Sequence, residues 1–163
     1  MPQSITTYIR TQGAIAAVIN AAVNPALAWP GNRAMHRVPL VGDGSLLIDI
    51  ALTTVILSLL VAVFIGAGYR RDLKAGRVAA PNGQGSKRRL LACLPGRAWA
   101  LGLTLGAVIA AVAVPALFVV LRLAGVSDLS FPAFALFKAV YTAALAYAVA
   151  RWAIMRLDSA ARL

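Results

Sequence analysis

Residues 46–69 read LLIDIALTTVILSLLVAVFIGAGY and contain a single charged side chain, Asp49. About 20 mostly apolar residues in helical form cross the roughly 30 Å hydrocarbon core of a bilayer, since each residue adds about 1.5 Å. Ser45 precedes the stretch and is a suitable helix N-cap. The stretch is therefore predicted to be a membrane-spanning helix.

Three further apolar stretches, at about 13–29, 98–123 and 131–154, have the same character. The chain has 163 residues, of which 61% are hydrophobic, and this composition lies outside the range of soluble proteins. The first stretch resembles a secretory signal peptide, but Asn20 and Asn24 interrupt its apolar core, which favours a retained helix. The sequence predicts an all-α, polytopic membrane protein: one transmembrane domain over 1–163 folded as a four-helix bundle.

Basic residues are distributed unevenly among the connections, with 16 Lys and Arg against five Asp. Cytoplasmic connections of membrane proteins are enriched in Lys and Arg. If the N-terminus is inside, 12 of the 16 fall on the cytoplasmic side, eight of them in the basic loop 70–97. We therefore expect both termini in the cytoplasm. The richness in Arg and Ala indicates a GC-rich genome, and hence the inner membrane of a bacterium.

A net charge of +11 would indicate a nucleic-acid partner on a soluble protein. On a membrane protein it is better explained by anionic lipid headgroups, so no nucleic acid is expected. The cluster Lys87, Arg88 and Arg89 is the strongest candidate for such headgroup contacts. The aromatic residues Trp29, Trp99, Trp152, Tyr8 and Tyr69 fall at helix ends, which predicts an interfacial belt.

Two charged residues fall inside predicted spans at a similar depth in the outer half of the membrane. They are Asp49 in the second helix and Lys138 in the fourth. Placing a charged side chain in the centre of the bilayer costs about 3 kcal/mol on scales derived from insertion experiments. Such residues therefore usually face the interior of the bundle and pair with an opposite charge. We predict an Asp49–Lys138 ion pair that joins these two helices.

Other polar residues share this depth and could line one pocket beside the pair. They are Asn20, Asn24, Thr53, Tyr141 and Thr142. In one interpretation they form a water-filled vestibule that opens to the outside. In the other they form interhelical hydrogen bonds that fix the packing. The sequence leaves both open and favours the second.

Small residues recur every fourth position in the third helix, at Gly102, Gly106 and Ala110. Such a stripe lets another helix backbone approach closely, in the bundle or in an oligomer. Short matches also relate the two halves, because Pro25-Ala26-Leu27 corresponds to Pro115-Ala116-Leu117 in the third helix. Both hairpins enter from the same side, so a repeat of the two halves would be a parallel one, although matches this short are weak.

Three segments resemble small four-helix inner-membrane proteins of bacteria. They are Ile19-Asn20-Ala21-Ala22-Val23-Asn24 through Trp29, Val38-Pro39-Leu40 through Asp49, and Phe134-Ala135-Leu136-Phe137-Lys138-Ala139. The resemblance implies the four-span topology and draws attention to the Asn, Asp and Lys positions, but it implies no activity.

Catalytic chemistry has little support in the residue inventory. The chain has no Glu, one histidine (His36) and one cysteine (Cys93), so it lacks the usual bases, metal clusters and disulfides. We expect no cofactor, no metal and no enzymatic activity. The expected function is a non-catalytic small subunit, assembly factor or lipid-facing scaffold, with a protein partner or a homo-oligomer as options. The alternative is a small transporter or channel that uses the outer polar pocket.

Overall fold

The computed structural model describes residues 2–32, 37–79 and 93–160. Within these residues lie four long helices and two three-residue strands: α1 (Ile5–Asn32), β1 (Arg37–Pro39), α2 (Leu46–Lys74), α3 (Ala98–Leu123), β2 (Asp128–Ser130) and α4 (Phe131–Ala160). The all-α class with four helices is as predicted. Each helix is long and apolar enough to cross a membrane.

The first helix begins at Ile5, well before the predicted start near residue 13. Ser4 explains the difference, because its hydroxyl accepts a hydrogen bond from the Thr7 backbone N–H at 3.2 Å. A serine that caps the first turn stabilises a helix N-terminus. The polar residues at the start of the chain therefore belong to α1 although they lack the apolar character of a span.

Two helices end in the same type of C-terminal cap. After α2 the backbone N–H of Gly76 donates to the Leu73 carbonyl, and that of Arg77 donates to the Asp72 carbonyl. Gly125 has the corresponding position after α3, and both glycines have positive φ, at 67° and 72°. Glycine is favoured there because residues with a Cβ are strained in the left-handed region. This cap extends α2 to Lys74, beyond its predicted end near residue 69.

The second and fourth helices form the centre of the bundle. α1 packs along α4, α3 packs along α2, and α2 contacts α4. The core between them is built from apolar side chains of α2 and α4, among them Leu57, Val61, Leu145 and Val149. The packing of α1 on α4 corresponds to the packing of α3 on α2, but α3 also contacts α4, whereas a groove separates α1 from α2.

One end of the bundle, here called the strand end, is closed by β1 and β2. The strands pair antiparallel, with Val38 opposite Leu129, in connections that the sequence predicts to be loops. Val38 is buried together with Leu46 and Phe134 in an apolar cluster beneath the strands. The strands thus join the two hairpins and fix the first turns of α2 and α4.

The opposite end, here called the basic end, is where α1 and α3 begin and where α2 and α4 finish. Two tyrosines that were predicted to belong to an interfacial belt lie buried there, so that prediction was wrong for them. Tyr8 donates a hydrogen bond to Asp72 at 3.0 Å, and Tyr69 donates one to Asp158 at 2.9 Å. Carboxylate partners draw both rings inward. The three tryptophans are exposed, as interfacial residues would be.

Candidate ligand-binding groove between α1 and α2

Asp49 and Lys138 form an ion pair close to the strand end. Lys138 Nζ lies 2.6 Å from Oδ1 and 2.7 Å from Oδ2 of Asp49, so both carboxylate oxygens accept from the ammonium. Asp49 is in the first turn of α2, where the helix dipole favours a negative charge. The predicted contact is therefore present in the structure, and it joins α2 to α4.

The two partners of this pair differ in exposure. The Lys138 side chain is 5% exposed, whereas the Asp49 side chain is 27% exposed. Lys138 Nζ also lies 5.6 Å from the centre of the Phe134 ring, a cation–π distance. The ammonium is thus enclosed by protein on several sides. The group that the pair presents to its surroundings is the carboxylate.

Asn20 and Asn24 follow one another on the face of α1 that is turned toward the pair. Asn24 Nδ2 donates to Asn20 Oδ1 at 3.0 Å, and Asn20 Nδ2 donates to the Ala16 carbonyl at 2.8 Å. The spacing of four residues puts the two amides one above the other on the helix. These bonds within α1 direct both side chains along the helix.

A cavity of about 400 Å³ lies between α1 and α2, and both residues of the ion pair are on its wall. Predicted polar residues on its wall are Asn20, Asn24, Thr53, Asp49 and Lys138. The rest of the wall is apolar and comes from the two helices that flank the opening: Val23, Leu27, Ala28, Leu52, Ile56, Leu57 and Leu60. Polar groups and apolar surface therefore meet in one cavity.

A second cavity of about 300 Å³ continues the first toward the basic end. The two share Asn20 and Leu60 on their walls, so they form one groove along the α1–α2 face. Apart from Gln12 and Asn20 its wall is apolar, and it includes Ile15 and Phe64. We call the two cavities together the α1–α2 groove, with a polar half near Asp49 and an apolar half near Phe64.

Tyr141 and Thr142 are not part of this wall, so the structure does not support their predicted place in the pocket. The Tyr141 hydroxyl is 2.6 Å from Thr54 Oγ1, within α2–α4 packing. Thr142 Oγ1 donates to the Asn20 carbonyl at 3.0 Å and thereby joins α4 to α1. Both form interhelical bonds, which was the other interpretation of these polar residues.

Thr54 was missed by the sequence analysis, although it is fully buried. Its hydroxyl bonds both to Tyr141 and to the Ile50 carbonyl, the latter at 2.6 Å. Thr53, its neighbour, faces the groove instead. Consecutive residues of a helix point about 100° apart. If Thr53 faces the groove, Thr54 must therefore point away from it, and this could have been inferred from the sequence.

The predicted stripe of small residues lies in the contact between α3 and α2. A Cβ placed on Gly102 would lie 2.7 Å from Leu59 Cα and 2.8 Å from the Ser58 carbonyl oxygen. On Gly106 it would lie 2.9 Å from Val55 Cα. Two glycines thus let the backbones touch, as the spacing predicts. Ala110, the third member, is half-buried on the same helix.

The predicted headgroup cluster, Lys87, Arg88 and Arg89, lies outside the described residues. Among residues 2–32, 37–79 and 93–160 no three His, Cys, Asp or Glu side chains are grouped as metal ligands. Comparison of the chain with family models, with curated proteins and with solved structures finds no match.

Proposed function

We propose that this protein is a multi-pass protein of a bacterial inner membrane, which it crosses four times with both termini in the cytoplasm. Support comes from four helices of sufficient length and hydropathy. Further support comes from the charge distribution, since 12 of the 16 basic residues then lie on the cytoplasmic side. In this orientation the strand end faces outward and the basic end faces the cytoplasm.

Cys93, the single cysteine, allows a direct test of this orientation because it is exposed at the basic end. A membrane-impermeant maleimide should label it in inverted vesicles and leave it unlabelled in intact spheroplasts. The control is a Cys93→Ser, Val41→Cys variant, since Val41 is exposed at the strand end. That variant should show the reverse pattern. Labelling of Cys93 from outside would contradict the proposed orientation.

The proposed role is non-catalytic: a lipid-binding scaffold or subunit that holds one membrane lipid in the α1–α2 groove. The observation that carries this proposal is the groove itself, with an ion pair at one end and apolar walls over the rest. A phospholipid has the same division into a polar headgroup and apolar chains. The combined cavities are within the size range of about 300–1,000 Å³ that is typical of ligand sites.

The sizes of the wall side chains favour an acyl chain over a partner helix. Helices approach each other closely in membranes where the contact surface is made of small residues. The groove wall instead carries large side chains, such as Leu52, Ile56 and Leu60, which are about half exposed. A flexible chain can follow the spaces between them, whereas a helix could not pack closely.

The charge at the polar half favours a headgroup that donates hydrogen bonds. Asp49 presents a partly exposed carboxylate, while Lys138 is covered and already bonded to it. A headgroup ammonium would find an acceptor there, and a headgroup with only negative charge would not. We therefore propose an amine-bearing phospholipid, of the phosphatidylethanolamine type, from the outer leaflet.

Native mass spectrometry of the delipidated protein in detergent tests this proposal with phosphatidylethanolamine and its N-acetylated form as probes. We expect one tightly held phosphatidylethanolamine and much weaker retention of the acetylated lipid, which lacks the ammonium. Leu60→Trp should abolish retention because it fills the junction of the two cavities. The matched control is Leu103→Trp, on the exposed surface of α3. Equal loss in both variants would contradict a binding site in the groove.

A second candidate function is the transport of a small amphiphile through the same groove. It is favoured by the position of Asp49, a charged group partly exposed to a cavity within a predicted span. A charge swap, Asp49→Lys with Lys138→Asp, separates the two functions. Movement of a fluorescent phosphatidylethanolamine between the leaflets of proteoliposomes should be absent for a scaffold. For a transporter it should occur and be lost in the swapped variant, with folding retained.

A further inference from the structure

A third cavity, of about 340 Å³, lies toward the basic end, where α3 begins beside α2. Arg70 of α2 and Arg97, just before α3, stand on its wall together with Trp99. Val63 and Ala67 supply an apolar surface that continues from the arginines toward the middle of α2. This cavity shares no wall residue with the α1–α2 groove.

The close start of α3 brings the two arginines together. Gly66 makes this possible, because a Cβ at that position would lie 2.9 Å from the Ala98 Cβ. With no side chain at Gly66, the first turn of α3 contacts the last part of α2. Arg70, one turn beyond Gly66, therefore comes to the same cavity as Arg97.

Within the part of the chain that the structure describes, no carboxylate is paired with either arginine. The ion pairs among the described residues join Arg37 to Asp128, Arg77 to Asp72, and Lys138 to Asp49, and none includes Arg70 or Arg97. Both arginines are exposed. Two guanidinium groups beside one cavity, without a carboxylate, form a natural position for an anion, which planar guanidinium groups bind through paired hydrogen bonds.

The apolar side of the cavity selects a lipid among the possible anions. Val63 and Ala67 are exposed and lie on the membrane-spanning part of α2. Trp99 is 52% exposed, and tryptophan is enriched where membrane meets water. A phosphate placed between the arginines would have its acyl chains directed along this surface, so headgroup and chains are both accommodated.

We infer that the Arg70–Arg97 cavity binds the headgroup of an anionic phospholipid, such as phosphatidylglycerol, at the basic end of the bundle. The inference rests on the proposed membrane insertion, but not on the α1–α2 groove, whose proposed lipid carries an ammonium. Its residues are other than Lys87, Arg88 and Arg89, for which headgroup contacts are predicted from the sequence. It would anchor the α2–α3 connection to the membrane surface.

Native mass spectrometry with phosphatidylglycerol as the probe tests the site in the delipidated full-length protein. Arg70→Gln with Arg97→Gln should weaken phosphatidylglycerol binding by about tenfold or more, because two charge-assisted contacts are lost. Arg10→Gln with Arg151→Gln removes the same charge at the same end and should weaken it much less. Equal weakening in the two double variants would show general charge attraction and overturn the site.

Two further measurements separate a lipid from a free anion and from the groove ligand. Ala67→Phe keeps both arginines but fills the apolar surface, so it should reduce phosphatidylglycerol binding and leave phosphatidylethanolamine retention unchanged. Inorganic phosphate in millimolar excess should fail to displace the lipid. Displacement by phosphate, or normal phosphatidylglycerol binding in Ala67→Phe, would overturn a lipid site. If Ala67→Phe lost phosphatidylethanolamine retention and still bound phosphatidylglycerol normally, the anionic-lipid site would likewise be overturned.

Discussion

The two sides of α2 illustrate opposite ways for helices to meet. On the α3 side, Gly102 and Gly106 let the backbones touch, with room for no further atom. On the α1 side, large residues such as Leu52 and Leu60 stand between the helices, and a groove remains. One helix therefore has a closed side that fixes the bundle and an open side that could receive a ligand. The two sides differ in the size of the side chains at the contact.

The polar groups follow the same division. On the open side Asp49 is paired but still partly exposed to a cavity. Thr54, on the side of α2 that faces α4, is instead enclosed by protein and bonded to Tyr141 and to the backbone. A buried group with all its bonds satisfied stabilises packing and has little left to offer a ligand. Of these two polar groups, Asp49 is therefore the one that keeps an exposed surface.

The largest expected effect comes from removing one charge of the ion pair. Asp49→Asn would leave Lys138 enclosed without a counter-ion. Breaking a fully buried pair costs about 3–5 kcal/mol of unfolding free energy, and the partial exposure of Asp49 puts the expected loss at the lower end of that range. Reversible unfolding in mixed detergent micelles, followed by circular dichroism, measures the loss. Asp49→Leu with Lys138→Met removes both charges and should recover most of it. An unchanged unfolding curve for Asp49→Asn would show that the pair contributes nothing to stability.

A smaller effect is expected from a single methyl group on the closed side. Gly102→Ala places a Cβ against the backbone of α2, which cannot move without separating the helices. Overpacking of this kind costs about 1–3 kcal/mol. The matched control is Gly68→Ala in α2, because a Cβ there meets nothing within 4 Å. Equal unfolding free energies for the two variants would show that the backbones of α2 and α3 are not in contact at Gly102.

Two consecutive threonines of α2 give a finer comparison. Thr54→Val leaves the Tyr141 hydroxyl without its partner, and interhelical hydrogen bonds in membranes contribute on average about 0.6 kcal/mol and at most about 1.7 kcal/mol. Thr53→Val removes a hydroxyl that faces the groove. We expect the Thr54 variant alone to unfold earlier in the same assay. A larger loss for Thr53→Val would reverse the assignment of the two faces.

The four long apolar helices and the ion pair could be predicted from the sequence because both follow from one strong constraint. Apolar length indicates a spanning helix, and a charge within a span calls for a partner. Asp49 and Lys138 were the only opposite charges at one depth, so their contact needed no knowledge of the packing. The stripe of Gly102 and Gly106 predicted a close contact, though not that α2 makes it.

What the sequence could not provide depends on which helices are neighbours and on their rotation. Tyr141 bonds toward α2 rather than into the groove, because its side chain points about 60° away from that of Lys138 on the helix. The strands β1 and β2 are three residues each, too short for an alternating pattern. Tyr8 and Tyr69 were assigned to an interfacial belt because their carboxylate partners are distant in sequence.

The smallest expected effect is the most informative about the open side. Leu60→Trp adds several heavy atoms to the groove wall, yet it should change the unfolding free energy of the delipidated protein by no more than about 0.5 kcal/mol, as is usual away from packed contacts. Gly102→Ala adds one carbon and should cost more. A tryptophan that is tolerated here, while phosphatidylethanolamine is lost, means that the space between α1 and α2 serves a ligand and not the fold. A tryptophan that unfolds the protein early would mean that the groove is an ordinary packed interface, and the lipid proposal would fail with it.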